Sequence, residues 1–213
     1  MHVVFPKVYP ILDSSVIPVI GRSDFLRSLG AALADAGITL LEYRNKLGSD
    51  AEILADASIL RETLPAANVK LILDDRADLV DHTKFDGVHV DAGDLSAAQA
   101  RHLIGPDRIV GTFGGSEELL PGILEAPADY FAIGPVFETR TKHTEKRPIG
   151  IDGVRKLRKL AGPSVILSAA AGITFETAPA VLEAGASMVA VSEAIFRTED
   201  PAAEFRRWIR HLG

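Results

Sequence analysis

Apolar, β-branched runs alternate along this chain with amphipathic or Ala/Leu-rich stretches, and the alternation persists to the end. The runs predict strands over Val8–Leu12, Thr39–Tyr43, Lys70–Leu73, Gly87–Val90, Arg108–Thr112, Tyr130–Val136, Ser164–Ala169 and Met188–Val191. The stretches between them predict helices over Ser23–Ala36, Asp50–Leu64, Arg76–Thr83, Ser96–His102, Ser116–Glu125, Gly150–Leu160 and Thr174–Glu183, with a last one over Pro201–His211. Ser23, Asp50, Ser96, Ser116 and Thr174 stand where a side-chain oxygen can cap the helix that follows. Gly37 and Gly185 follow helix ends, where a left-handed backbone is common.

Eight β-then-α units predict a parallel sheet, and eight repeats allow closure into a compact (β/α)8 barrel, a single domain over residues 1–213. The competing architecture is an open doubly wound sheet. No Gly-x-Gly-x-x-Gly turn follows the first strand, and polar residues collect at strand ends, which favours the barrel. Those residues are Asp13; Glu42, Arg44 and Lys46; Asp74 and Asp75; Asp91 and Asp94; Thr139, Thr141 and Lys142; and Ser192 with Glu193. Closure brings them to one face, the face on which such barrels do chemistry. Strands also end in polar loops for no functional reason.

Composition narrows the function classes. Apolar residues at 47% supply one sizeable core. A net charge of −6 argues against a nucleic-acid partner, while leaving room for local cationic pockets. With no cysteine, disulfides and thiolate metal sites are excluded. The N-terminus lacks the pattern of a signal peptide, and no run is apolar and long enough to span a bilayer. The simplest expectation is a soluble cytoplasmic protein without a membrane partner; a homodimer through the helical faces stays open.

The candidate chemistry is that of phosphorylated small molecules. In Gly134-Pro135-Val136-Phe137-Glu138-Thr139-Arg140-Thr141-Lys142, two hydroxyls and two cations follow a strand. Hydroxyls donate to phosphate oxygens and the cations offset their charge, although a solvated loop has the same composition. Arg44 and Lys46, in alternate positions after the second strand, can face one mouth and, with Lys142, clamp a diphosphate; they can equally pair with Glu42 or the nearby aspartates. Asp75 and Asp94 are Mg²⁺ candidates, since this ion takes oxygen ligands and keeps several waters; each could instead cap the next helix. Gly172 and the Ser192–Glu193 turn end the seventh and eighth strands. Close backbone approach and free helix N–H groups suit a phosphate there, or Gly172 only permits a tight turn. The six histidines form no metal constellation, and none is given a ligand role.

From Tyr9 to about Ile195 the chain resembles the thiamine-phosphate synthases, the family that also contains thiazole tautomerases. The likeness is carried by Glu42-Tyr43-Arg44-Asn45-Lys46, Asp74-Asp75-Arg76-Ala77-Asp78, Asp86-Gly87-Val88-His89, the Gly134–Lys142 loop, and Ala184-Gly185-Ala186 before Val189-Ala190-Val191. It implies an enzyme that joins a pyrimidine diphosphate to a thiazole phosphate, releasing pyrophosphate. It further implies that Asp75 and Asp94 hold Mg²⁺ and that Arg44, Lys46 and Lys142 act on the diphosphate. Thr139, Thr141 and Gly172 would hold the thiazole phosphate, with the Ser192–Glu193 turn, and Glu42, Asp74 and Arg140 would be among the substrate contacts. The chain departs from the pattern at several of these places. Glu42 and Asp74 stand for Gln and Asn, and Glu193 for a serine. Phe113 and Gly115 take the places of a serine and a histidine in the fifth-strand motif, and the Gln before the second metal aspartate is missing from Val90-Asp91-Ala92-Gly93-Asp94. A non-catalytic or divergent barrel that binds a phosphorylated metabolite is therefore the alternative. A tautomerase ranks below it, because the histidine it relies on falls at Gly115.

Overall fold

The computed structural model describes residues 4–91, 93, 95–115, 120–138 and 147–213. Its centre is a closed barrel of eight parallel strands in sequence order. They are β1 Val8–Asp13, β2 Leu40–Arg44, β3 Lys70–Asp74, β4 Gly87–Val90, β5 Ile109–Gly115, β6 Tyr130–Ile133, β7 Leu167–Ala170 and β8 Met188–Val191. Closure is made by β1 against β8, with Val8, Tyr9 and Pro10 opposite Val189, Ala190 and Val191.

The period of two along each strand builds two separate apolar layers. One parity faces the helices: Leu41 and Tyr43, Leu71 and Leu73, Val88 and Val90, Leu167 and Ala169, Val189 and Val191 pack with helical residues such as Leu26, Leu33, Ile53, Leu60, Val154, Leu157 and Trp208. The other parity fills the barrel with Tyr9, Leu40, Ile72, Ile109, Tyr130, Met188 and Ala190. Two residues further along the same inward rows the side chains become polar: Leu40 gives way to Glu42, Ile72 to Asp74, and Gly87 to His89. The barrel is thus apolar at one end and charged at the C-terminal end of its strands. Gly111 makes room inside, since a Cβ there would stand 2.0 Å from the Tyr130 ring.

The helices are α1 Arg22–Asp35, α2 Asp50–Thr63, α3 Val80–Thr83, α4 Ala97–Ile104, α5 Leu120–Ile123, α6 Gly150–Ala161, α7 Ala178–Glu183, α8 Glu193–Phe196 and α9 Pro201–Leu212. Sequence expectations hold for their order and differ at their ends. Ser96 caps α4 in a capping box with Gln99, as its position predicts. The cap of α2 is Ser49 rather than Asp50, because Ser49 has the extended backbone that lets its hydroxyl accept from Glu52 N; Asp50 pairs instead with Arg76. Ser23 lies inside α1, whose N-cap is the left-handed Gly21. Ser116 lies outside the described residues. The Arg76–Thr83 segment is a 3-10 turn running into α3, and β6 stops at Ile133 before Pro135, which has no N–H to donate. The short α8 after β8 has no counterpart in the sequence reading. No helix of the described residues is long and apolar enough to cross a membrane.

Candidate active site

The strand ends bring the inward polar residues of β1, β2, β3 and β4 into one cluster, at whose centre two cations meet three carboxylates. Arg44 pairs with Asp13 and lies 3.4 Å (Nε) from Asp74 Oδ2. Lys46 pairs with Asp75 and lies 3.4 Å from the same Asp74 oxygen. That oxygen is buried and has no hydrogen bond of its own. Burial pushes the Asp74 carboxyl up, against the pull of Lys46, His89 and Arg44. For Asp13, hydrogen bonds from Ser15 and Arg44 outweigh partial burial and hold the carboxyl below its ordinary range.

Below this cluster a hydrogen-bonded chain crosses the barrel. Tyr9 Oη donates to Glu42 Oε2 at 2.6 Å and lies 2.8 Å from Tyr130 Oη. Tyr130 Oη is in turn 3.1 Å from His89 Nδ1, with the two rings stacked. His89 Nε2 is 3.8 Å from Asp91. Burial raises Glu42 from 4.5 to about 7, with Asp74 and Asp91 adding to the rise and His89 and Tyr9 opposing it. Burial alone would lower His89, but Asp91, Glu42 and Asp74 outweigh it and the imidazole is raised.

Asp75 sits at the turn out of β3 with φ of 62°, a left-handed conformation that Asp tolerates better than most residues. Its N–H donates to His89 O at 2.7 Å and its carbonyl accepts from Ala77 N at 2.9 Å. This turn aims the carboxylate at the mouth. One oxygen takes Lys46, while the other, Oδ1, is buried with no hydrogen-bond partner. A buried bare carboxylate oxygen is the donor type that magnesium takes, so Asp75 fits the expected metal role. Asp94 lies outside the described residues, and the described residues alone contain no group of three possible metal ligands.

Beside β1, Ser192 Oγ at the end of β8 is buried with no hydrogen-bond partner. Glu193, the first residue of α8, directs its carboxylate to Arg197 at 2.8 Å along that helix. Gly172 has φ of 69°, and a Cβ there would stand 2.5 Å from Glu138 O and 2.8 Å from the Phe137 carbonyl carbon. Its bareness lets the loop after β6 close against the loop after β7. The free helix N–H groups expected next to Gly172 are not there: α7 begins at Ala178, and the Thr174 N–H is used by Thr177 Oγ1. Thr139, Arg140, Thr141 and Lys142 lie outside the described residues.

Arg44, Lys46, Glu42, Asp74 and Asp75 therefore come together as the sequence predicts, with Gly172, Ser192 and Glu193 on the neighbouring rim. Tyr9, Tyr130 and His89 were missed as site residues. Their one signal is a polar tip at an inward strand parity, two residues from an apolar one.

The family model described as thiamine monophosphate synthase matches residues 8–195. The chain belongs to the thiamine monophosphate synthase family. It is 39% identical over 201 residues to a thiamine-phosphate synthase of Koribacter versatilis, covering 94% of each chain. A thiamine-phosphate synthase of Chloroflexus aurantiacus is 34% identical over 206 residues, 97% of this chain and 92% of the relative. Among solved structures, the thiamine phosphate pyrophosphorylase of Pyrococcus furiosus superposes with a TM-score of 0.79 at 27% identity, covering 97% of both chains. Glu42 and Asp74 lie almost wholly buried and form an acidic floor under the two cations.

Proposed function

We propose that this chain is a thiamine-phosphate synthase: a transferase that joins hydroxymethylpyrimidine diphosphate to a thiazole phosphate, giving thiamine phosphate and pyrophosphate in the cytoplasm. The observation that carries the reading is the pair Arg44 and Lys46, held over one buried aspartate at the barrel mouth in a chain of this family. In the reaction the C–O bond to the diphosphate breaks, its electron pair leaving with pyrophosphate, and the thiazole nitrogen forms the new C–N bond. Arg44 and Lys46, joined by Lys142, hold the diphosphate and offset the charge that grows on the leaving oxygen. Their pairing with Asp13, Asp74 and Asp75 keeps them oriented before substrate arrives. Asp75 and Asp94 would hold Mg²⁺, which when bound neutralises diphosphate charge.

The thiazole phosphate is assigned to Thr139, Arg140 and Thr141 with Ser192, whose buried unpartnered hydroxyl is a ready donor to a phosphate oxygen. Glu193 is ion-paired with Arg197, which offsets the charge of its carboxylate beside that phosphate. Glu42 and Asp74 are assigned to the pyrimidine side; burial raises both carboxyls, and their ionised form favours the developing cation. A divergent barrel that binds phosphate without turnover is the second reading, favoured by the same acidic floor if the usual pyrimidine is refused.

The test is incubation with both substrates and Mg²⁺, reading thiamine phosphate, with Asp75→Asn as control because Asn also tolerates the left-handed turn. Product that disappears in the variant supports the synthase. Binding of thiazole phosphate without product supports the divergent barrel.

A further inference from the structure

Arg44 and Lys46 face the mouth, so the residue between them is turned the other way. Asn45 is buried, and its amide has all four of its hydrogen-bonding positions filled. Oδ1 accepts from Ser14 Oγ at 2.9 Å and from Gly48 N at 2.9 Å. Nδ2 donates to Glu52 Oε1 at 2.7 Å and to Tyr43 Oη at 3.1 Å. A backbone N–H only donates and a carboxylate only accepts, so the partners fix which way the amide points. They come from the turn after β1, the end of β2, the loop after β2 and the first turn of α2.

A second tier holds these partners in turn. Tyr43 Oη donates to Asp56 Oδ2 at 2.5 Å, and Asp56 is almost completely buried. Arg22 reaches Asp56 at 2.5 Å and Glu52 at 3.2 Å. The loop is also shaped to the amide: a Cβ on Gly48 would stand 2.2 Å from Asn45 Nδ2. None of these hydrogen bonds and ion pairs involves Arg44, Lys46 or the aspartates they pair with. Their joint effect falls on the two cations on either side of Asn45.

We infer that Asn45, seated against Gly48 and Glu52, is a positioning residue that sets the direction in which Arg44 and Lys46 present their charges to the diphosphate. The inference rests on the proposed role of those two cations. Asn45 touches no substrate; it fixes the backbone from which both side chains leave. Truncation leaves the Ser14 hydroxyl and the Gly48 N–H without their acceptor and frees the loop. The cations can then settle on Asp13, Asp74 and Asp75 in other arrangements.

The experiment measures inorganic pyrophosphate binding by calorimetry with Mg²⁺, together with KM and kcat for each substrate and the melting temperature. Asn45→Ala is expected to weaken pyrophosphate binding and raise KM for the diphosphate substrate on the order of 10- to 100-fold, the scale on which small misplacements act. KM for the thiazole phosphate should be unchanged. Gly48→Ala, which pushes the amide from its seat, should move the same constants in the same direction. Asn45→Asp sets a carboxylate against Glu52 and should be impaired; adding Glu52→Gln restores a donor–acceptor pair and should recover much of the loss. Unchanged pyrophosphate affinity in Asn45→Ala with only a lower melting temperature would overturn the inference, as would a double variant no better than Asn45→Asp. A wild type that binds pyrophosphate but makes no thiamine phosphate refutes the synthase reading and leaves the inference testable on binding. A wild type with neither binding nor turnover overturns the roles of Arg44 and Lys46, and this inference with them.

Discussion

Glu42 offers the sharpest test of the barrel's charged interior, because folding moves its titration far from that of the unfolded chain. Burial among Tyr9, Tyr130, His89, Asp74 and Asp91 moves its carboxyl from 4.5 to about 7. That displacement corresponds to about 3 kcal/mol of preference for the neutral acid. The sign follows from proton counting. Between pH 4.5 and about 7 the folded chain holds a proton on Glu42 that the unfolded chain has released. Stability from this group is therefore complete below pH 4.5 and is lost as the pH rises through about 7. Glu42→Gln keeps the shape and an acceptor for Tyr9 but removes the titration. The gap in unfolding free energy between variant and wild type should shift by about 2–3 kcal/mol in favour of the variant from pH 5 to pH 8, allowing for the response of His89 and Asp74 to the same change. In a melting experiment that is a relative shift of about 4–12 °C. Urea unfolding of both proteins across this range is the assay, and groups such as Asp13 that titrate in both cancel from the difference. A gap independent of pH, or one that favours the variant more at acid pH, would refute the reasoning.

Other perturbations probe the same interior. Tyr9→Phe removes the donor to Glu42 and the link to Tyr130, and should cost about 1–3 kcal/mol in urea unfolding. It should also raise the Glu42 titration further, since that hydrogen bond favours the ionised form. Gly111→Ala drives a methyl into the fully buried Tyr130 ring and should destabilise the barrel by about 1–3 kcal/mol, read as a lower melting temperature with intact secondary structure. Asp56→Ala strips Arg22 and Tyr43 of a buried partner and should cost about 3 kcal/mol by the same unfolding assay; a loss below about 1 kcal/mol would show the pair to be solvated after all.

What was legible in the sequence follows from periodicity. Alternation along β2, Leu40 to Arg44, shows which residues share a face, and eight such runs separated by helices predict the closed barrel and its charged end. Arg44, Lys46 and Asp75 could be found because cations and carboxylates just past a strand are conspicuous. The acidic floor could be located but its titration could not, since burial of Glu42 depends on Tyr9 and Tyr130 arriving from other strands. Asn45 was hidden for a related reason. Its partners Ser14 and Glu52 lie 31 and 7 residues away, and an asparagine in a loop has many uses. Helix ends were misread by one residue at Ser49 because the choice between adjacent caps is made by backbone angles rather than composition. The shared thread is that inward parity marks candidates while long-range packing sets their charge state. In this barrel that packing places two nearly buried acids beneath two cations and raises both carboxyls, so the charge of the floor, unlike that of the mouth, depends on pH.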